Sequence, residues 1–298
     1  MDLMHPRLSA FSAVIEEGSF EAAARRLSVT PSAISQRIRH LEDGLGQLLV
    51  VRQPPCRPTP AGEQLLRRVR AMQLLQAEAL DELAPARRTQ SSWRSLVIAV
   101  NDDSLETWLI AALARLHHEH GYVFDVRVDD QDHTLALLRE GAVIGAVTSE
   151  ATPVQGCRVS PLGVMRYRAI AAPDFARRHF GTGLCAETLA QAPMIVFNRK
   201  DALQWRFIRS ITRARLNPPL HYLPTATGFI EAAALGLGWC LAPDSLIHAA
   251  LHERRIVDIA PGRWLDVPLY WQHAAIPSRT LEEVSQVLQQ VATAMLKK

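Results

Sequence analysis

Apolar residues near the N-terminus recur at helical spacing. Leu8, Phe11, Val14 and Ile15 make one stripe, which Gly18 ends. Phe20, Ala23, Ala24 and Leu27 fall at i, i+3, i+4 and i+7 and predict a second, short helix. Ser19 suits its N-cap, and Glu21 sits in the first turn, where the helix dipole favours an acid. A tight Ser28-Val29 connection follows. Thr30 is then placed to cap a third helix, with Pro31 at its first position, where a missing N–H costs nothing. At about 100° per residue, Ile34, Ile38, Leu41 and Leu45 cluster in a narrow arc and predict its buried face. Ser32, Gln36, Arg39, His40 and Asp43 point broadly the other way, and Ser35 and Arg37 flank the stripe.

Leu48 to Val51 reads as a short strand and Arg52 to Pro60 as a proline-rich loop, with the Val51/Arg52 edge available for a hairpin wing. A long helix is expected from Ala61. Leu65, Val69, Met72, Gln76, Ala79 and Leu83 alternate four-three spacing along it, as in a coiled-coil seam with one polar break. Pro85 would end this helix, and Arg87 to Ser92 reads as a linker. Strands and helices then alternate: strands at 96–100, 123–128 and 143–147, helices at 107–117 and 134–140. That alternation predicts an α/β unit with a mainly parallel sheet. The pattern restarts near Arg168 to Ala171, with later strands at 194–197, 239–241 and 269–271 and a final helix from Leu281 to Leu296. Two α/β lobes are expected, with the chain crossing near Gly163 and returning near Val267.

The chain has 298 residues, enough for two or more domains, and its 48% hydrophobic and 21% charged content is that of an ordinary globular protein. A net charge of +3 does not mark a nucleic-acid binder, but the distribution changes the picture. From Glu21 to Arg70 the basic residues are all arginine, at 25, 26, 37, 39, 52, 57, 67, 68 and 70, against Glu21, Glu42, Asp43 and Glu63. Cys56, Cys157, Cys185 and Cys240 form no CxxC pair and give no zinc spacing, as for reduced cysteines in a cytosolic protein. The N-terminus, interrupted by Pro6 and Arg7, has no signal-peptide layout, and no apolar run has membrane-span length; a soluble cytoplasmic protein with no membrane partner is expected. His117, His118, Glu119 and His120 fail the HExxH pattern because Tyr122 holds its last position, so they read as dipole partners closing a helix. Gly181-Thr182-Gly183 follows an apparent helix around Phe175 to Phe180, which excludes a dinucleotide fingerprint. There is no GxSxG and no P-loop, so no enzyme activity, metal or cofactor is expected. Trp108, Trp205, Trp239 and Trp271 read as core residues more readily than as stacking platforms.

A helix, a tight turn and a helix with a polar N-terminal face fit the geometry of a major-groove reader. Ser32 and Gln36 can reach base edges, and Gln suits adenine bidentately. Ser35, Arg37, Arg39 and Arg52 suit phosphates. The uninterrupted stretch from Phe20 to Glu42, FEAAARRLSVTPSAISQRIRHLE, resembles the winged helix-turn-helix signature of LysR-type regulators. Leu45-Gly46, Leu48-Leu49-Val50, Arg52 and Pro58-Thr59-Pro60-Ala61-Gly62 continue it, and the similarity extends over essentially the whole chain. The resemblance implies an α+β multidomain protein. Residues 1–60 would be the winged helix-turn-helix DNA-binding domain and 61–90 a linker and dimerisation helix. Residues 91–298 would be a two-lobed, periplasmic-binding-protein-like α/β effector domain, with lobe I at 91–163 and 267–298 and lobe II at 164–266. It also implies that Ser32, Ala33 and Gln36 occupy base-reading positions, while Ser35 and Arg52 touch the backbone or the minor groove. With Thr30, Arg37, Arg39 and Arg57, these are the candidate contacts to double-stranded operator DNA.

Within that family, Val100 to Trp108, Asp129 to His133, Leu137 to Gly141 with Gly145 to Thr148, and Val267 to Trp271 resemble the ArgP/LysG (IciA) branch, as does the wing segment Pro54 to Thr59. The branch implies a basic amino acid, lysine or arginine foremost, as effector, and control of an exporter gene. It also implies a homodimer assembling to a tetramer and working with RNA polymerase. Asp102 and Glu106 depart from the branch, where alanines are common, and could alter effector choice. Independently, Ser104 or Thr107 is placed to cap the helix after the first strand, and free N–H groups at a capped helix start bind a carboxylate. The candidate effector contacts are Asn101, Asp102, Asp103, Ser104, Thr107, Trp108, Asp129, Asp130, Thr148, Thr225 and Thr227. Two other readings stay open: a LysR-type regulator of a different effector, such as an aromatic acid, and a two-lobe solute-binding module or enzyme with an incidental helical extension.

Overall fold

The structure, a computed structural model, describes residues 4–83, 93–129 and 134–298. Helix α1 (Pro6–Glu17) ends at Gly18, which adopts the left-handed region at φ 69°. In α2 (Phe20–Arg26) the Ser19 hydroxyl accepts the Ala22 N–H, and in α3 (Pro31–Leu45) the Thr30 hydroxyl accepts the Ala33 N–H at 3.2 Å. Phe11, Val14, Ala23, Ile34 and Ile38 build their common core. The second half of the α3 stripe differs from expectation. Leu41 is half-buried and Leu45 is 52% exposed, while Glu42 takes the buried slot after Ile38. Ile34, Ile38 and Glu42 are four apart and share a face, and the last turn of α3 runs out into solvent.

Strands β1 (Val50–Val51) and β2 (Arg57–Pro58) pair antiparallel, Val50 opposite Pro58 and Val51 opposite Arg57. The wing therefore exists, and its second strand lies within the segment read as a loop. Leu48, expected to open the first strand, precedes it and is exposed. Helix α4 (Pro60–Leu83) then packs under the hairpin. A Cβ at Gly62 would come within 2.2 Å of the Leu49 carbonyl oxygen, so only glycine permits this approach. The seam divides along α4. Val69 is fully buried in the core of the first three helices, and Leu65 packs against it. Met72, Ala79 and Leu83 are exposed. On the opposite face Glu78 is buried, accepting the Ser278 hydroxyl at 2.6 Å and the Thr280 N–H at 2.8 Å. Pro85 and the linker run Arg87 to Ser92 lie outside the described residues.

The first lobe begins with β3 (Arg94–Asn101). One helical stretch follows, formed by α5 (Asp102–Ser104), a π turn (Leu105–Leu109) and α6 (Ile110–His120). Then come β4 (Tyr122–Asp129), α7 (Thr134–Arg139) and β5 (Gly145–Thr148). Strands β4 and β5 lie parallel to β3 on either side. The second lobe holds α8 (Pro173–Phe180), α9 (Ala186–Gln191), β7 (Met194–Val196), α10 (Leu203–Ile211), β8 (Leu220–Tyr222) and α11 (Ala226–Ala234), then β9 (Cys240–Pro243), α12 (Asp244–His252) and β10 (Val257–Asp258). Two long strands join the lobes: β6 (Cys157–Ala171) and β11 (Leu265–Ala274), which pair antiparallel along most of their length. Helix α13 (Arg279–Met295) closes the chain.

The expected mainly parallel sheet needs correction. The described residues form a seven-stranded sheet, β10-β6-β11-β5-β3-β4 with β9 also on β6, and only the β3 pairings in it are parallel. The long β6/β11 ribbon imposes the antiparallel part. Gly163 lies opposite Leu269, beside the register shift at Leu269/Tyr270. There the chain end returns, with Val164 and Lys297 exchanging backbone hydrogen bonds of 2.8 and 3.0 Å. Trp108, Trp239 and Trp271 are all buried in the principal core.

Candidate nucleic-acid interface and effector cleft

Helix α3 presents Ser32, Gln36, Arg39 and His40 to solvent, with Ala33, Ser35 and Arg37 half-buried at the edges of that face. Thr30 is committed to the cap, and its hydroxyl also pairs with that of Ser32 at 3.0 Å. Ser28 holds the turn with φ 54°. Three of the local arginines are engaged by acids. Arg26 binds Glu16 and Glu17, and Arg70 lies 3.8 Å from Glu16, both away from the α3 face. Arg52 binds Glu42 at 3.2 Å and stands over the Phe20 ring at 5.5 Å. Among the described residues Arg37, Arg39 and Arg57 have no ion pair. Unpaired positive charge therefore remains on α3 and the wing, as it does at Arg25 on α2 and at Arg67 and Arg68 on α4.

Sequence reasoning missed Glu42 as a part of this surface. Its carboxylate accepts the N–H groups of Leu49 at 2.8 Å and Val50 at 3.3 Å while holding Arg52. One buried acid thus fixes the start of the wing against α3 and orients a wing-edge cation. Its place four residues after Ile38 was the available signal.

In the first lobe the parallel strands bring their C-terminal ends to one edge. Asn101 lies opposite Asp129, and Thr148 ends β5 on the other side of β3. Asp130 to His133 and the Asp129 side chain lie outside the described residues. The helix after β3 starts earlier than expected: Asn101 is its extended N-cap residue, and neither Ser104 nor Thr107 caps it. Ser104 is already helical, and Thr107 donates back to the Asp103 carbonyl at 2.6 Å, a bond made inside a helix. Trp108, counted among the candidates, is a core residue.

Asp103 is held by the Tyr167 hydroxyl, which donates to its carboxylate at 2.6 Å. Burial pushes the Asp103 carboxyl up to about 7; the Tyr167 bond opposes this, and the charges of Asp102 and Asp201 add to it. Tyr167 itself is fully buried, and its hydroxyl is pushed well above its ordinary value by burial and by Asp103. Asp201, which the sequence did not single out, thus sits within electrostatic reach of Asp103 from the opposite lobe. Its own carboxylate accepts the N–H groups of Phe197 and Leu203 at 3.0 and 2.9 Å. Asn101 and Ser104 are buried, and their side-chain polar atoms have no hydrogen-bond partner among the described residues; the same holds for Gln204 at the start of α10. Buried polar groups left this way mark a site that water or a ligand completes. Thr148 is buried and accepts the Glu150 N–H. Thr225 caps α11 through the Gly228 N–H, with the Thr227 hydroxyl 3.5 Å away, and neither bonds the Asn101–Trp108 segment.

Residues 6–63 match the model of the bacterial regulatory helix-turn-helix protein, lysR family, and residues 90–293 match the LysR substrate binding domain. The chain belongs to the LysR family of transcriptional regulators. Within it, the chain is similar to ArgP from Mycobacterium tuberculosis, a crystal structure with 43% identity, 99% of each chain covered and a TM-score of 0.88. Full-length LysG from Corynebacterium glutamicum, solved with bound effector Arg, has 36% identity, covers 99% of this chain and all of that one, and has a TM-score of 0.79. The lysine export transcriptional regulatory protein LysG of Corynebacterium efficiens is 39% identical over 300 residues, 99% of this chain and 100% of that protein. This LysR-type regulator is of the LysG/ArgP branch, with an N-terminal helix-turn-helix and a two-lobed effector domain.

Proposed function

We propose that this regulator senses a basic amino acid, lysine or arginine, between the two lobes and controls transcription of an amino-acid exporter gene. The observation that carries the reading is the Asp103–Tyr167 pair with Asp201 facing it. A carboxylate kept near neutrality by burial gains most from an incoming cation, because the ligand's ammonium or guanidinium replaces the lost water. Asn101, Ser104 and Gln204 offer unpaired polar atoms for the ligand's amino and carboxylate groups. The arginine bound to the C. glutamicum relative supports the same class.

On the DNA side, Ser32, Ala33 and Gln36 read bases in the major groove while Ser35, Arg37, Arg39, Arg52 and Arg57 hold phosphates. Residues 1–60 form the reading head, 61–90 the dimerisation helix and 91–298 the sensor. The uncovered Met72–Leu83 side of α4 pairs two copies, and two dimers form a tetramer. Effector binding prefers one arrangement of the subunits and so shifts operator affinity and contact with RNA polymerase. The protein acts in the cytoplasm and is not an enzyme; no helix among the described residues is long and apolar enough to cross a membrane.

Calorimetric titration of the full chain with lysine, arginine, histidine and benzoate tests the effector class. Heat from lysine or arginine, weakened by Asp103→Asn and Asp201→Asn, is expected. Heat from benzoate alone would overturn the assignment and leave the DNA-binding reading intact.

A further inference from the structure

A cavity of about 400 Å3 lies between α4 and the first lobe. None of the candidate effector contacts lines it. Arg67, Arg68 and Arg70 form one wall, and no Asp or Glu is among its lining residues. The floor is apolar, made chiefly by Leu74, Leu138, Ile144 and Ile276. Arg67 donates to the backbone carbonyl of Arg139, the last residue of α7, and Arg70 to that of Ala142 just beyond it. These two bonds leave most of their N–H groups unused, and the Arg70 Nε is buried without an acceptor. Among the described residues neither Arg67 nor Arg68 pairs with a carboxylate. Cations that merely pin two carbonyls do not require a third arginine or a hollow of ligand size.

We propose that this cavity is a second ligand site, taking a small amphipathic carboxylate. Its head lies on the guanidiniums of Arg67, Arg68 and Arg70, whose planar forks match a carboxylate bidentately. Its apolar body lies on the aliphatic floor. Burial lowers the Arg70 guanidinium from its ordinary value, Glu16 at 3.8 Å offsets this only in part, and an anion in the cavity offsets more of it. Because α4 continues from the reading head, a ligand bridging α4 and the lobe favours the arrangement in which they are docked. It thereby changes operator affinity without entering the cleft.

Cys157 lines the cavity and Cys185 is exposed elsewhere, so the full chain carries its own reporter and control. Octanoate is the probe and octylamine its charge-reversed counterpart. Iodoacetamide labelling is followed at each cysteine by mass spectrometry, beside calorimetry. Octanoate is expected to bind and to slow Cys157 alkylation, leaving Cys185 unchanged, and octylamine to do neither. Arg68→Ala, on an exposed position, is expected to weaken octanoate by about tenfold, and Ala71→Trp to fill the space and abolish the protection. Saturating arginine is expected to leave octanoate protection unaltered, so a failure of the cleft reading does not touch this result. No protection by millimolar octanoate, equal protection by octylamine, undiminished protection in Arg68→Ala, or displacement by arginine would each overturn the proposal.

Discussion

The Glu42 carboxylate reaches the Arg52 guanidinium at 3.2 Å, linking the buried face of α3 to the edge of the wing. Because the same carboxylate accepts two backbone N–H groups, its removal leaves donors unpaired in a buried place. Glu42→Ala is expected to cost ~1–3 kcal/mol of stability in urea unfolding and to weaken operator binding together with it. An unchanged unfolding midpoint would refute the linking role.

Gln36 stands on the exposed face of α3, and its side chain makes no hydrogen bond among the described residues. Gln36→Ala is expected to leave stability unchanged while discrimination between operator and mutated operator drops by ~1–3 kcal/mol. Competition binding with base-substituted duplexes reads this directly; preserved discrimination means another residue reads the base.

Arg52 is proposed to act differently, at a phosphate, which carries no sequence. Arg52→Ala is expected to weaken specific and non-specific binding alike and to lower the salt slope by about one. Salt titrations of both proteins on the same duplex check it, and parallel lines would remove Arg52 from the interface.

The Asp103 carboxyl, raised from 3.8 to about 7, makes stability depend on pH. Between those values the folded chain holds a proton that the unfolded chain has released, so stability falls as pH rises through this window and levels off above it. Asp102, Asp201 and the Tyr167 hydroxyl face this group, and all favour the neutral form except the Tyr167 bond. Asp103→Asn is expected to flatten the slope in unfolding measured from about pH 4 to about pH 8. A basic effector should bind more tightly as pH rises toward 7 and should release a proton on binding. Buffers of different ionisation heat detect that proton, and none would be seen if Asp103 takes no part.

Met72 and Leu83 are 48% and 82% exposed on the same helix. If two copies of α4 bury them, Met72→Lys with Leu83→Lys is expected to give monomers in sedimentation velocity with the helical content kept. A dimer that persists would move the interface elsewhere.

Much of this was legible because the head is local. Its caps, stripe and turn are set within a few residues, and Ser19, Thr30, Gly18, Ile34 and Ile38 do what their spacing requires. The misreadings are tertiary. The sequence pattern restarts only near Arg168, whereas β6 begins at Cys157; Pro161 and Gly163 weaken the strand signal there, yet β11 pairs along the segment and overrides that preference. Ser104 and Thr107 have the chemistry of caps, but the helix begins at Asp102 as soon as β3 ends. Asp201 and Gln204 carry no local pattern at all. Only the fold brings Asp201 toward Asp103 and buries Gln204.

The pairing of β5 with β11, and of Val164 with Lys297, has a consequence for synthesis. The first lobe is begun early and completed late. Its strand Gly145–Thr148 waits with an open edge until Leu265–Ala274 has been made, and Val164 waits for Lys297. The reading head, whose contacts are short in sequence, can fold on the ribosome well before this. A nascent chain released early would therefore carry a folded helix-turn-helix and no completed effector domain, and any DNA it bound it would hold without answering to an effector.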